Sequence, residues 1–363
     1  MKKYIVSSDA LRPALKRLGH AFAENNNLPE LTNIVMEFSG QVVNMTTSNL
    51  ELTVIVTLPV ESEKKSDETF LLPYKFLSDI IGVIGSVPVV IEYHNQKKVI
   101  IRGENDVYEL NSLDKVEKYP NIPVLPKKNC IKPTGDFVKL LHDSMHTASN
   151  DDLRPAMTCA CLDMKVKEPV IVTTDAYSLY LHKIVVDKKE DMQLLFPRKL
   201  VSAADGLSDV EVSWTEKHVA IRSANTSLIS KKMDAPYPNY NVVINQSPAS
   251  VKLNASQLAE ALKKSLVIKD GSSRTTLHFS DESTLRFDAI DVDTERKANI
   301  SMPFQKLEGP VEDITINAKK LLTILKQIVV DEICLHITGK NKGIIITGSE
   351  NKNYLGMLMP ITD

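Results

Sequence analysis

The residues able to do chemistry in this 363-residue chain are few and scattered. Cys159 and Cys161 alternate, as residues on one face of a strand do. Such a pair could begin a metal site, but that chemistry needs two more ligands at a suitable spacing, and none is close. They read as small buried residues. With Cys130 and Cys334 they form no disulfide framework and fit a reducing compartment. Asp288, Asp291, Asp293 and Glu295 crowd together without the Gly and terminal Glu of a calcium loop, so they read as a solvated loop. The eight His accompany no Ser or Cys nucleophile motif, and Ser202 and Ser265 fall in helical stretches with no base in view. No phosphate-cradling Gly-rich loop is present. The sequence implies no catalysis, no metal and no cofactor.

The stretch that stands out is Val172–Leu181, near the middle of the chain. Apolar and β-branched residues flank an Asp175-Ala176 turn, the pattern of a hairpin in an antiparallel sheet. The turn carries Tyr177, and then Leu179 and Tyr180, where a solvated turn would be polar. Apolar residues at a loop tip imply either a covering segment or a docking patch.

Composition bounds the alternatives. With 43% hydrophobic and 25% charged residues the chain is an ordinary globular protein, long enough for two or three domains. A formal charge of −2 excludes a global pull onto nucleic acid, so any such contact needs a local basic surface. The first residues lack a signal-peptide apolar run, and no stretch approaches the ~18 apolar residues of a membrane span. The expectation is a cytoplasmic protein with no membrane contact.

The elements that must position these residues repeat. Helix starts fall at Ser8, Thr134 and Asn254, spaced 126 and 120 residues, with apolar stripes such as Leu11-Leu15-Leu18-Phe22 and Leu258-Leu262-Leu266. Second helices open at Pro73, Pro197 and Asn317, spaced 124 and 120, with stripes such as Phe76-Ile80-Val83 and Leu321-Leu325-Ile328. Each has a Lys at its third position: Lys75, Lys199 and Lys319. Strand runs separate and follow the helices. A period near 120 is too long for a solenoid. It implies an α+β chain of three similar domains, 1–126, 127–247 and 248–363, each with two helices packed on antiparallel sheets. Basic residues recur on the helices, including Arg12, Lys16, Arg17, Lys75, Arg198, Lys199 and Lys319. With a net charge of −2, the remaining surface is acidic on balance, an arrangement suited to sequence-independent contact with a phosphate backbone.

In order along the chain, Leu28-Pro29-Glu30-Leu31-Thr32-Asn33, Thr46–Glu51, Lys118-Tyr119-Pro120-Asn121, Asp152–Met157, Thr174–Leu179, Tyr237-Pro238-Asn239-Tyr240 and Met357-Leu358-Met359-Pro360 resemble segments of the bacterial sliding clamps, the β subunits of DNA polymerase III. The resemblance covers the whole chain. It implies a head-to-tail homodimer, a six-domain ring with double-stranded DNA through its hole and helices facing it. It also implies a clamp loader that opens the ring, and a replicative DNA polymerase and other proteins that dock by clamp-binding peptide motifs.

By the same resemblance the peptide-binding cleft is lined by Met157, Thr174, Leu179, Pro238, Val243, Met357 and Met359, with Tyr177 at its edge. Thioethers suit such a site because they repack around different peptides. Arg198 and Lys199, and Lys75 more distantly, match DNA-facing positions. Tyr108 and Leu110 match the edge strand of the ring joint, and Leu266 and Val267 its partner surface. The chain departs from the family at Ala176-Tyr177-Ser178, which replaces Gly-His-Arg. Asn25 stands where some members carry a DNA-facing Arg, and Asp151 where a Gln occurs. Two other readings are a hydrolase or transferase using a divalent metal near Asp291, and a monomeric peptide-binding adaptor.

Overall fold

The structure is a computed structural model. It describes residues 2–24, 28–62, 67–94, 98–111, 116–123, 129–187, 190–244, 249–268, 271–279, 283–291, 294–350 and 352–362. Among them are six α-helices: α1 (Ser8–Leu18), α2 (Tyr74–Val83), α3 (Phe137–Ser144), α4 (Arg198–Ala204), α5 (Ala255–Ser265) and α6 (Ala318–Gln327). The remaining regular structure is mainly antiparallel strand. The chain forms two compact units, Met1–Pro133 with Lys199–Lys232, and Thr134–Arg198 with Met233–Asp363.

In the first unit an eight-stranded sheet takes the order Cys130–Ile131, Glu211–Trp214, His218–Arg222, Thr226–Lys231, Leu52–Pro59, Val42–Ser48, Asn33–Ser39, Glu68–Pro73. The pairing Thr226↔Val56 through Ser230↔Leu52 joins a second-repeat strand to a first-repeat strand. A five-stranded sheet, ending in Val107–Asn111, is the other sheet of this unit, and α1 packs on α2.

In the second unit a nine-stranded sheet includes the hairpin Val170–Thr174/Ser178–Lys183. Its second strand pairs with third-repeat strand Tyr354–Leu358, from Ser178↔Leu358 to His182↔Tyr354. A four-stranded sheet ends in Arg296–Pro303, and α5 packs on α6. Ladder hydrogen bonds thus run across the repeats in both units, so a threefold sequence repeat condenses into two compact bodies. The proposed boundaries after 126 and 247 fall in stretches 124–128 and 245–248, outside the described residues.

The third-repeat helices follow their sequence signals closely. Asn254 and Asn317 cap α5 and α6, their side chains accepting N–H bonds from Gln257 (3.0 Å) and Lys320 (2.9 Å). Leu258, Leu262, Leu321 and Leu325 are buried in one core, each burial contributing about 1.5–3 kcal/mol. Gly356 lets α6 lie flush on the sheet: a Cβ there would come within 2.3 Å of the Ile324 side chain.

Other signals read differently in three dimensions. Ser8 does not cap α1; it is buried, donating to Gly85 O (2.9 Å) and accepting from Val87 N (3.0 Å). Thr134 bonds Val185 O, and α3 begins later, after Asp136. The buried face of α2 is Leu77-Ile80-Ile81, which leaves Phe76 and Val83 exposed. Helix α1 ends at Leu18, so Phe22 lies beyond it and stacks on Tyr74 at 4.6 Å.

Candidate functional site

The central hairpin is shaped by one carboxylate. Asp175 Oδ1 accepts from Tyr177 N (3.0 Å), Ser178 N (2.7 Å) and Ser178 Oγ (2.9 Å), which closes the turn over Ala176 at φ +75°. Asp175 Oδ2 accepts from Lys320 Nζ in the first turn of α6. Burial alone would raise the Asp175 carboxyl, but the hydrogen bonds from Lys320 and Ser178 outweigh it and hold the group below its usual range. Tyr177 is 62% exposed, with the Lys320 ammonium 5.7 Å from its ring centre. Its carbonyl accepts Met359 N–H (2.7 Å), which ties the turn to the C-terminal segment.

Beneath the tip lies an apolar cluster. The structure brings Leu179, Val243, Met357 and Met359 together in it. Met157 and Pro238 are half-buried, each next to a residue of the cluster, Ala156 and Tyr237. Thr174 is buried, but its hydroxyl donates to Ser178 O (2.7 Å) and so serves the turn. The sequence reading missed Ala156, Val172, Leu195, Tyr237, Tyr240 and Ile345 as members. Alternation along Val170–Val172 and the buried Cys159 and Cys161 carried the available signal. Gly343 makes room for the methionines, since a Cβ there would lie 2.9 Å from Met357 Sδ and 3.5 Å from Met359 Sδ.

Around the cluster, Leu153 is 91% and Val242 65% exposed, on segments next to its members. A cleft of about 580 Å³ is lined by His146, Arg154, Asp175, Tyr177, Asn317 and Lys320, among others. Asp151 is exposed, accepts Leu153 N–H (3.0 Å) and lies 3.9 Å from the Arg154 guanidinium. Burial pushes the Cys159 thiol up to about 11 and Cys161 well above its ordinary value, so both stay neutral near neutral pH. The arrangement offers apolar surface and thioethers with a polar edge, suited to holding a ligand rather than attacking one.

The basic residues divide into two kinds. Arg12 donates to the Ile81, Ile84 and Gly85 carbonyls at the end of α2. Arg17 donates to Ala203 O at the end of α4. Arg198 is half-buried and donates to Met145 O (3.4 Å), Ala148 O (3.5 Å) and Ser149 O (3.3 Å). Guanidiniums here satisfy helix-end carbonyls. Lys75, Lys199 and Lys319 are exposed, each the second residue of its helix. Lys75 pairs with Glu24, and Lys199 with Glu51 (2.7 Å). Asn25 lies outside the described residues.

Tyr108 and Leu110 sit half-buried on the edge strand Val107–Asn111, opposite Ile101 and Val99. Leu266 lines a cleft of about 430 Å³ with Ile268 and Leu322, whereas Val267 is 72% exposed. Ile268 was not among the expected residues.

The acidic stretch differs from the solvated loop expected. Asp291 is buried, accepting from Thr294 N (3.3 Å) and Thr294 Oγ1. Asp288 accepts from Asn299 (2.7 Å) and lies 3.2 Å from His278. Their side chains close turns and bridge strands. Asp293 lies outside the described residues. Among the described residues no group of three or more His, Cys, Asp or Glu could hold a metal ion, and no helix is long and apolar enough to cross a membrane.

The fold is a three-domain clamp fold with an apolar cluster beneath the central hairpin. Comparison with known proteins gives the family. The descriptions "DNA polymerase III beta subunit, N-terminal domain", "central domain" and "C-terminal domain" match residues 2–123, 133–239 and 242–362. The beta sliding clamp of Bacillus subtilis (strain 168) is 23% identical over 379 residues, covering 99% of each chain, and that of Staphylococcus epidermidis is 22% identical over 381 residues with the same coverage. Among solved structures, the DNA polymerase sliding clamp from Bacillus subtilis has a TM-score of 0.91 at 22% identity, covering 100% of this chain and 99% of its own. A Pseudomonas aeruginosa sliding clamp bound to griselimycin has a TM-score of 0.91 at 18% identity, covering 100% of both. The chain belongs to the DNA polymerase III beta subunit family. It is a sliding clamp of DNA replication, a processivity subunit without catalysis of its own.

Proposed function

We propose that two copies of this chain close head to tail into a ring around duplex DNA, and that the cluster beneath Tyr177 captures short apolar peptides of the polymerase, the clamp loader and other clamp-bound proteins. The observation that carries the DNA reading is the recurrence of an exposed lysine at the second residue of α2, α4 and α6. Compact ammoniums on a solvated face contact phosphates without reading bases, and their contribution falls with salt. Lys75 and Lys199 are the contact residues in this reading, while Arg198 is engaged with the Met145, Ala148 and Ser149 carbonyls.

The ring joint joins the Tyr108 and Leu110 edge of one copy to the Leu266 and Val267 region of the other, with the free edge Arg296–Pro303 available to extend the sheet. Unpaired edges are templates for strand addition. The receptor reading rests on the exposed Leu153, Tyr177 and Val242 bordering a Met-bearing cluster. Of the eight expected residues, Leu179, Val243, Met357 and Met359 belong to the cluster, and Met157, Thr174, Tyr177 and Pro238 are not among its members.

The test is retention on DNA. Loaded by a bacterial clamp loader with ATP, the chain should stay on nicked circular DNA at high salt and leave when the circle is cut. Equal loss from circular and linear DNA would refute encirclement. For the cluster, a fluorescein-labelled peptide with two Leu and one Phe anchors should bind saturably and lose affinity in Leu179→Ala.

A further inference from the structure

Asp163 is 3% exposed, at the end of strand Cys159–Asp163. Burying a carboxylate is costly unless hydrogen bonds replace its water. Three do. Oδ1 accepts Lys165 N–H (2.9 Å), and Oδ2 accepts Gln193 Nε2 (2.8 Å) and the Tyr240 hydroxyl (3.0 Å). Lys165 lies two residues on in sequence, and Gln193 is the opposite residue on the neighbouring strand. Only Tyr240 comes from outside the sheet.

Tyr240 opens a short 3-10 turn, Tyr240–Val243, capped by Asn239. That turn delivers Val243 and Ile244 to the apolar cluster and leaves Val242 exposed. The segment has a second anchor, the Tyr237 hydroxyl donating to Val172 O (3.2 Å). Two phenols therefore fix this wall, one to the hairpin strand Val170–Thr174 and one to its neighbour Cys159–Asp163. One is held by a backbone carbonyl, the other by a side-chain carboxyl.

An apolar residue in place of Asp163 would fill the sheet at lower desolvation cost, but it could not orient the Tyr240 hydroxyl. From this geometry we infer that Asp163 is a positioning residue for the receptor groove: its carboxylate sets the Tyr237–Ile244 wall through Tyr240 and so fixes the width of the site. The inference rests on the reading of the cluster as a peptide receptor.

The experiment is a double-mutant cycle read by fluorescence polarisation with the fluorescein-labelled Leu/Leu/Phe peptide. Asp163→Asn and Tyr240→Phe should each weaken binding about tenfold, and the double variant should bind no more weakly than either single, because both remove one link. A structural role alone would lower the unfolding temperature and leave the affinity of the folded fraction unchanged. Wild-type affinity in Tyr240→Phe, which deletes a single oxygen and decides the matter even if Asp163→Asn folds poorly, would overturn the inference. So would losses that multiply to about a hundredfold in the double variant. Failure of the wild-type chain to bind the peptide would instead remove the receptor reading itself, and the inference with it.

Discussion

Lys320, in the first turn of α6, is ion-paired with Asp175 in the turn of the central hairpin. A cation in the first turn opposes the helix dipole. Here the carboxylate offsets that cost and fastens a second-repeat turn to a third-repeat helix. Lys320→Ala should therefore destabilise the second unit by about 1 kcal/mol, the upper range for a partly exposed pair. The effect should depend on pH. The folded-state pKa of Asp175 is depressed, so its contribution is present above the unfolded Asp value of about 4 and is lost as pH falls through the folded value. Denaturant midpoints of wild type and Lys320→Ala, measured from pH 7 to pH 3, should begin to draw together below about pH 4. A constant gap across that range would show that the pair is not the source.

Arg198 and Lys199 are adjacent yet should behave oppositely. Arg198→Ala removes the donors to three carbonyls and should cost about 2–3 kcal/mol of stability. Lys199→Ala removes an exposed pair with Glu51, so stability should change by less than about 0.5 kcal/mol. Its effect should show on DNA, as a smaller salt slope in retention assays. Thermal unfolding and salt titrations on both variants check the division.

Ala176 occupies the left-handed region at φ +75°, where a Cβ is strained. Ala176→Gly should relieve that strain and stabilise the chain by about 0.5–1 kcal/mol, less any entropy Gly adds to the unfolded chain. An unchanged or lower unfolding midpoint would show that the surrounding bonds to Asp175 already absorb the strain.

Gly343→Ala should act on the receptor patch. The added methyl would press on Met357 Sδ at 2.9 Å and on Met357 Cγ at 3.0 Å. Thioethers are flexible, so unfolding should change little while the labelled peptide binds several-fold more weakly. Peptide affinity equal to wild type would place the bound ligand away from the two methionines.

These particulars show what was legible in the sequence. Period, order and helix type were, because Asn254 and Asn317 cap where side-chain chemistry demands and the leucine stripes of α5 and α6 bury as their spacing dictates. The lysines of α2, α4 and α6 were legible as well, though each stands second rather than third because the helices begin at Tyr74, Arg198 and Ala318. Tertiary context was not. Ser8 had the composition of a cap, but the Gly85–Val87 loop claims its hydroxyl. Arg198 matched a DNA-facing pair by residue type, and only the fold reveals the carbonyls it satisfies. Most of the apolar cluster escaped notice because Leu195, Tyr237 and Ile345 join it only through sheet pairing and a returning loop. Asp291 looked solvated in an acidic run, yet Thr294 folds back onto it.

The central claim, a ring of two copies, is tested most directly by small-angle scattering with in-line mass determination. The account predicts a mass of twice 40.4 kDa and the scattering profile of a hollow ring at micromolar concentration. A compact particle of 40.4 kDa across that range would contradict it.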